Sequence, residues 1–175
     1  MMKNIVMGVA AFFLMTQSVS VADESADVTE LSKEREVQCL AVNIYHEARS
    51  QSLAGQLAVA LVTRNRVVDK RFPGSYCQVV YQGPVRPSWK DKNIFYPVKH
   101  RCQFSWYCDG KSDKIRDETA YQIALKIALH VYEKETFDFT SGAVFYHAYY
   151  VKPAWARTKT RVAKIEDHIF YTWKY

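Results

Sequence analysis

The sequence predicts an α+β fold, mainly helical with one small β-sheet. Two observations carry that expectation. Apolar residues recur at three-and-four spacing within residues 37–48, 53–68 and 117–135, the period of helices that bury one face. Residues 137–175 are instead rich in aromatic and β-branched side chains, the composition of short strands.

The chain opens with Lys3, an apolar run from Ile5 to Met15, and the small residues Ser20-Val21-Ala22. This pattern reads as a secretory signal peptide over residues 1–22, cleaved after Ala22. The run is too short to span a bilayer and no later stretch approaches that length, so no stable membrane insertion is expected after cleavage. Residues 23–31 are small and acidic without apolar periodicity and read as a flexible lead-in. Residues 32–175 then form a single domain, large enough to bury its own core.

Lysine and arginine total 24 against 18 acids, a formal charge of +6, and loss of Lys3 with the leader leaves +5. A basic exported protein suits polyanions, including wall polymers, lipid headgroups and nucleic acid, and charge alone does not choose among them. Cys39, Cys77, Cys102 and Cys108 allow three disulfide connectivities in an oxidising compartment. If Cys102 and Cys108 close the small loop between them, Cys39 is left for Cys77. No cysteine spacing has the Cys-x-x-Cys form of structural zinc sites.

Ser32 reads as the N-cap of the first helix, with Glu34 and Glu36 in the first turn, where the helix dipole favours negative charge. Its stripe runs through Val37, Leu40, Ala41, Ile44 and Ala48. At about 100° per residue, Glu47 projects roughly 20° from Leu40 and about 60° from Ile44, so this carboxyl group leaves the helix beside its buried face. Burial raises a carboxyl pKa, the condition for a general acid near neutral pH, which makes Glu47 the catalytic candidate. A structural ion pair with Arg49 is the competing role.

Ser52 is the expected cap of the second helix, 53–68, whose apolar residues cover more than one face and whose Gly55 admits a close neighbour; it reads as the central buried helix. Phe72-Pro73-Gly74 marks a turn, and residues 77–82 form a short apolar element of open type. Residues 83–114 hold three prolines, many aromatics and little periodicity, which suggests a functional loop walling a groove. Asp117 begins the third helix. Strands are expected near residues 143–147 and 168–173.

Few residues offer chemistry. There is no Gly-rich phosphate loop and no His-Glu-x-x-His helix. His46, His147 and His168 would need a common focus to hold a metal, and none is expected. The basic residues Arg86, Lys90, Lys92, Lys99 and Arg101 suit acidic peptides or simply form a solvated face.

Six motifs in order then carry a resemblance: Cys39-Leu-Ala-x-Asn-Ile-Tyr-His-Glu-Ala-Arg49; Ala54-Gly-Gln-x-Ala-Val59 with Asn65-Arg-Val67; Phe72-Pro-Gly74 with Val79-Val-Tyr-Gln82; Cys102-Gln-Phe-Ser-Trp106; Tyr146-His-Ala148 with Val151-x-Pro-x-Trp155; and His168-Ile-Phe-Tyr171. Together they resemble the cell wall hydrolase family of spore cortex-lytic enzymes and relatives. The resemblance implies a lysozyme-like fold and cleavage of peptidoglycan glycan strands between N-acetylmuramic acid and N-acetylglucosamine, as in lytic transglycosylases, without a cofactor. Glu47 maps to the family's catalytic acid. Gln103, Ser105, Tyr146 and His147 match polar motif positions that would bind the sugars, and Trp155 matches as well. The expected partner is the glycan strand, not nucleic acid, and the location is the periplasm or the outside of the cell. Two departures stand out. Many relatives read Glu-Ala-Arg-Gly-Glu, where this chain has Ser50 and Gln51, and a glycine common before the His-Ile-Phe motif is replaced by Glu166-Asp167. A zinc-dependent N-acetylmuramoyl-L-alanine amidase and a non-catalytic wall-binding module are the alternative functions.

Overall fold

A computed structural model describes residues 21–174. The expected signal peptide falls almost wholly outside these described residues. Helix α1 spans Val21–Ala48, so residues 23–31 are helical where the sequence suggests a flexible lead-in, and Ser32 lies inside the helix instead of capping it. The physical reason is propagation. No Gly or Pro interrupts residues 21–48, and once packing of the C-terminal half fixes a nucleus, each further turn adds its hydrogen bonds at little cost.

Helix α2 (Leu53–Val68) begins at the expected cap, with Ser52 accepting from the Gly55 N–H. The short apolar element resolves as helix α3 (Tyr76–Val80), capped by Ser75. The long loop carries structure that its sequence did not announce: a two-stranded hairpin, β1 (Val85–Pro87) and β2 (Phe95–Pro97), and a 3₁₀ turn at Ser105–Cys108. Helix α4 (Glu118–Glu133) starts at Asp117, whose side chain accepts from the Ala120 N–H. The C-terminal region forms a three-stranded antiparallel sheet of β3 (Phe145–Ala148), β4 (Lys159–Ile165) and β5 (His168–Trp173), in the order β3-β5-β4. β4 was not foreseen, because Lys159-Thr-Arg-Val-Ala-Lys164 is exposed and polar on one face and carries a register shift between Arg161 and Ala163.

α2 is the central helix, as its composition predicts. Leu40, Ala41 and Ile44 of α1 and Ala124, Ile127, Ala128 and Val131 of α4 share one core with Ala60 of α2. Ala58 and Val62, on another side of α2, pack against Ala143 and Phe170 of the sheet region. A third cluster joins Val79 and Val80 of α3 to Phe104 and Trp106 of the loop. Cys39 is bonded to Cys77, stapling α1 to α3, and Cys102 to Cys108, closing the loop around the 3₁₀ turn. No helix among the described residues is long and apolar enough to cross a membrane.

The helical and sheet halves are clipped together behind the cleft. Gln51 donates to Asp167 (3.1 Å) and accepts from its backbone N–H (3.3 Å), and Ser52 donates to Glu166 (2.7 Å). Glu166 holds a left-handed φ of 49°, a backbone shape that glycine adopts readily, and its side chain grips Ser52. Gly55 is required at this junction, since a Cβ there would sit 2.8 Å from the Cβ of Gln51.

Candidate active site

The two halves enclose a cleft of about 1380 Å³, with Glu47 and Tyr146 on its lining. Glu47 stands in the last turn of α1, one residue before the helix ends. Two effects act on its carboxyl group in the same direction. Burial raises its pKa, and the negative end of the helix dipole also disfavours a charge there. Opposing them, the Tyr146 hydroxyl donates to Oε2 at 2.8 Å, and the Arg66 guanidinium lowers the pKa from further off; burial dominates, and the net direction is upward. Tyr146 itself is held well above the usual phenol range by its own burial and by the Glu47 charge. It therefore stays protonated and acts as the donor.

Arg49 does not pair with the acid. Its guanidinium lies over the Tyr45 ring at 4.9 Å and bonds the Tyr45 carbonyl. The cation that matters is Arg66, in the last turn of α2. Arg66 is buried, donates from Nε to the Val144 carbonyl (2.8 Å), and lies over the Phe104 ring at 4.8 Å. With the Gln103 amide oxygen turned toward it, that oxygen accepts from both Nη atoms at 3.0 and 3.2 Å. Burial pushes Arg66 down to about 10, which leaves it cationic at neutral pH. A signal for it was present: Arg66 falls four residues after Val62 and seven after Val59, on a buried stripe, where a cation needs partners.

Of the expected site residues, Gln103, Ser105, Tyr146, His147 and Trp155 all line the cleft with Glu47. Only Tyr146 touches the acid. Gln103 bonds Arg66, and Ser105 is exposed on the 3₁₀ turn. His147 is committed at both ring nitrogens. Its Nδ1–H donates to the Ala148 carbonyl (2.9 Å), which leaves Nε2 to accept from the Tyr171 hydroxyl (2.9 Å). Trp155 packs edge-on against His147 and Tyr171, so it braces the wall. His168 is buried beside Tyr146 with its Nδ1 unbonded, and desolvation keeps its pKa low.

The opposite wall is built on Trp106. Its indole N–H donates to Asn43 (3.0 Å), Asn43 donates to Thr63 (3.2 Å), and His46 stacks on the indole at 4.5 Å. Asp109 and Asp113 also line this side. Among the described residues, no group of three His, Cys, Asp or Glu side chains could hold a metal ion. Of the five basic loop residues, none is on the cleft lining: Arg86, Lys90 and Lys92 belong to the β1–β2 hairpin, Lys99 packs beside Gly110, and Arg101 borders a separate shallow depression.

The family model for Cell Wall Hydrolase matches residues 50–171. Two spore cortex-lytic enzymes of Bacillus cereus are 25% identical over 138 residues, which is 78% of this chain and 44% of theirs. The chain thus spans less than half the length of these relatives. Among solved structures, the catalytic domain of the Bacillus cereus SleB protein matches with a TM-score of 0.54 and 25% identity, covering 78% of this chain and 89% of that one. The catalytic domain of the germination-specific lytic transglycosylase SleB from Bacillus anthracis matches with 0.55 and 26%, covering 78% and 93%. The fold is therefore the lysozyme-like fold expected from the sequence. The matched family segment begins three residues after Glu47, so the place of that acid rests on the cleft itself. On these matches and this architecture, the chain belongs to the cell wall hydrolase family.

Proposed function

We propose that the protein is a peptidoglycan lytic transglycosylase that cuts the glycan strand between N-acetylmuramic acid and N-acetylglucosamine, with Glu47 as its general acid and base. The observation that carries this is the Tyr146 bond to a partly buried Glu47 at the cleft surface. Tyr146 holds Oε2 and leaves Oε1 to carry the transferred proton. Glu47 protonates the glycosidic oxygen as the bond to the muramic C1 breaks. The resulting carboxylate then takes the proton from the muramic C6 hydroxyl as O6 bonds to C1, which leaves a 1,6-anhydromuramic end and restores the acid. One carboxyl group suffices, unlike the paired carboxylates of two-acid glycosidases, and no cofactor is needed. A raised pKa suits this role, since the acid must be protonated at the start of each cycle.

Gln103, Ser105 and Tyr146 would meet the sugar hydroxyl and acetamido groups, while His147 and Trp155 shape the wall beside them. The catalytic unit is residues 32–175, following a leader of residues 1–22, and it works in the periplasm or outside the cell.

Mass spectrometry of soluble products from purified peptidoglycan tests the proposal, with Glu47→Gln and chelator-treated samples alongside. Anhydromuramic ends that vanish in the variant and survive chelation are expected. Reducing muramic ends would mean that water is the acceptor. Chelator-sensitive release of stem peptides would identify an amidase, and sacculus binding without products would identify a wall-binding module.

A further inference from the structure

We propose that the β1–β2 hairpin is a docking arm that seats the protein reversibly on an anionic phospholipid surface. Its register sorts the side chains by face. Val85 pairs with Pro97 and Pro87 with Phe95, while Arg86 pairs with Tyr96 between them. Alternation therefore gives one face made only of Val85, Pro87, Phe95 and Pro97. Among the described residues that face is mostly uncovered: Val85 is 55% exposed and Phe95 58%, with Pro97 half-buried at its base. At the tip, Trp89 is 81% exposed, the most of any tryptophan in the chain. A two-stranded ribbon with its apolar side in water is marginal alone and gains from a surface that covers it.

The chemistry of that surface follows from what surrounds the apolar face. From Val85 to Arg101 there are five cations, Arg86, Lys90, Lys92, Lys99 and Arg101, against one acid, Asp91. Trp and Tyr beside Lys and Arg, around a small apolar face, match a bilayer interface, where the rings sit at headgroup depth and the cations meet lipid phosphates. A sugar polymer would call instead for a row of neutral hydrogen-bonding side chains around each ring, whereas cations outnumber them here and Ser88, beside Trp89, is spent internally. Ser88 Oγ accepts from the Lys90 and Asp91 N–H groups, and Asp91 Oδ1 accepts from the Asn93 N–H. Pairing with another strand is disfavoured as well, because Pro84, Pro87 and Pro97 break the row of edge donors.

The arm is joined directly to the cleft. Gln82, just ahead of it, accepts from the backbone N–H of Gln103 (2.8 Å), and the disulfide loop follows it. A lipid contact would hold the cleft close to the bilayer, favouring wall polymer near the membrane.

The test is co-sedimentation of the protein recovered after export with vesicles of phosphatidylglycerol and phosphatidylethanolamine, and with neutral phosphatidylcholine vesicles. Binding is expected to the anionic vesicles and to be lost in high salt. Trp89→Ala/Phe95→Ala is expected to weaken it about ten-fold or more, with release of soluble glycan products unchanged. Lys90→Glu/Lys92→Glu should weaken it similarly. Brominated lipid should quench tryptophan emission in the parent and not in Trp89→Phe, a readout independent of the double variants. Equal binding by parent and Trp89→Ala/Phe95→Ala, or no binding by the parent, overturns the proposal. So does a parent that ignores vesicles while the same double variant loses affinity for purified sacculi, which would make the arm a glycan contact.

Discussion

The hydroxyl of Tyr146, on β3, donates to the carboxyl group of Glu47, in the last turn of α1, across 2.8 Å and 99 positions of sequence. The bond joins the two halves of the fold at the point where the proposed chemistry takes place, and it sets the first two expectations.

Replacing Glu47 by Gln should lower the release of glycan fragments by about 10²–10⁴-fold, the range for loss of a general acid. Thermal stability should hold or rise, since the variant removes a charge that burial disfavours. Product release and the unfolding midpoint, measured on one preparation, check both halves of this expectation.

Tyr146→Phe removes a hydrogen bond that stabilises the carboxylate, so the Glu47 pKa should climb further above its ordinary value. Activity depends on the protonated acid and falls as pH rises through that pKa. The alkaline limb of the pH–rate profile should therefore move to higher pH in the variant, even as the maximal rate drops. An unmoved limb would detach Tyr146 from the titration of the acid.

Arg66→Lys should destabilise the protein by about 2–4 kcal/mol, read by denaturant unfolding. A lysine cannot fork to the Val144 carbonyl and the Gln103 oxygen together, and one of these buried acceptors would be left unpaired. Because Arg66 also draws the Glu47 pKa down, the same variant should leave the alkaline limb at or above its parental position.

The Cys39–Cys77 disulfide closes a loop of 38 residues, worth about 4 kcal/mol in the chain-entropy treatment. Cys39→Ser/Cys77→Ser should lower the unfolding midpoint by that measure. The Cys102–Cys108 ring spans only 6 positions and should contribute less, about 2–3 kcal/mol. Its removal should fall harder on activity, since Gln103 and Ser105 stand within it. Unfolding and product release of the two double variants separate these effects.

Asp69 accepts from Arg71 Nε and Nη2 at 2.8 and 2.6 Å and from the Trp173 indole at 3.1 Å. The Arg71 hydrogen bonds hold its carboxyl at about 2. A folded pKa below the unfolded value of about 3.9 means that the charged group stabilises the fold above that unfolded value, and that this contribution is lost as pH falls toward 2. Asp69→Asn should therefore cost about 2 kcal/mol at pH 7, and parent and variant should converge in acid. Melting curves at the two pH values check it.

What the sequence made legible follows the physics of each segment. The stripe on α1 placed Leu40 and Ile44 in the core and set Glu47 beside them, because a helix has a fixed period and a fixed direction for each side chain. The caps Ser52 and Asp117 could be read because hydroxyl and carboxylate groups satisfy open backbone N–H groups. β4 and the β1–β2 hairpin could not, since strands with little buried face leave no alternation to detect. For Arg66 the sequence shows a cation on a buried stripe but not its role, because its partners are a backbone carbonyl and a loop glutamine that only the fold locates. The start of α1 was missed because composition cannot distinguish a solvated helix from a solvated coil.

The strand order β3-β5-β4 puts β5, which follows both neighbours in the chain, in the middle of its sheet. That strand begins more than a hundred residues after Glu47. Until β5 slides between its neighbours, β3 has no partner to hold Tyr146 in place and α2 lacks Phe170 against its flank. The acid's setting therefore closes around a strand that pairs on both edges, and the cleft forms cooperatively with β5.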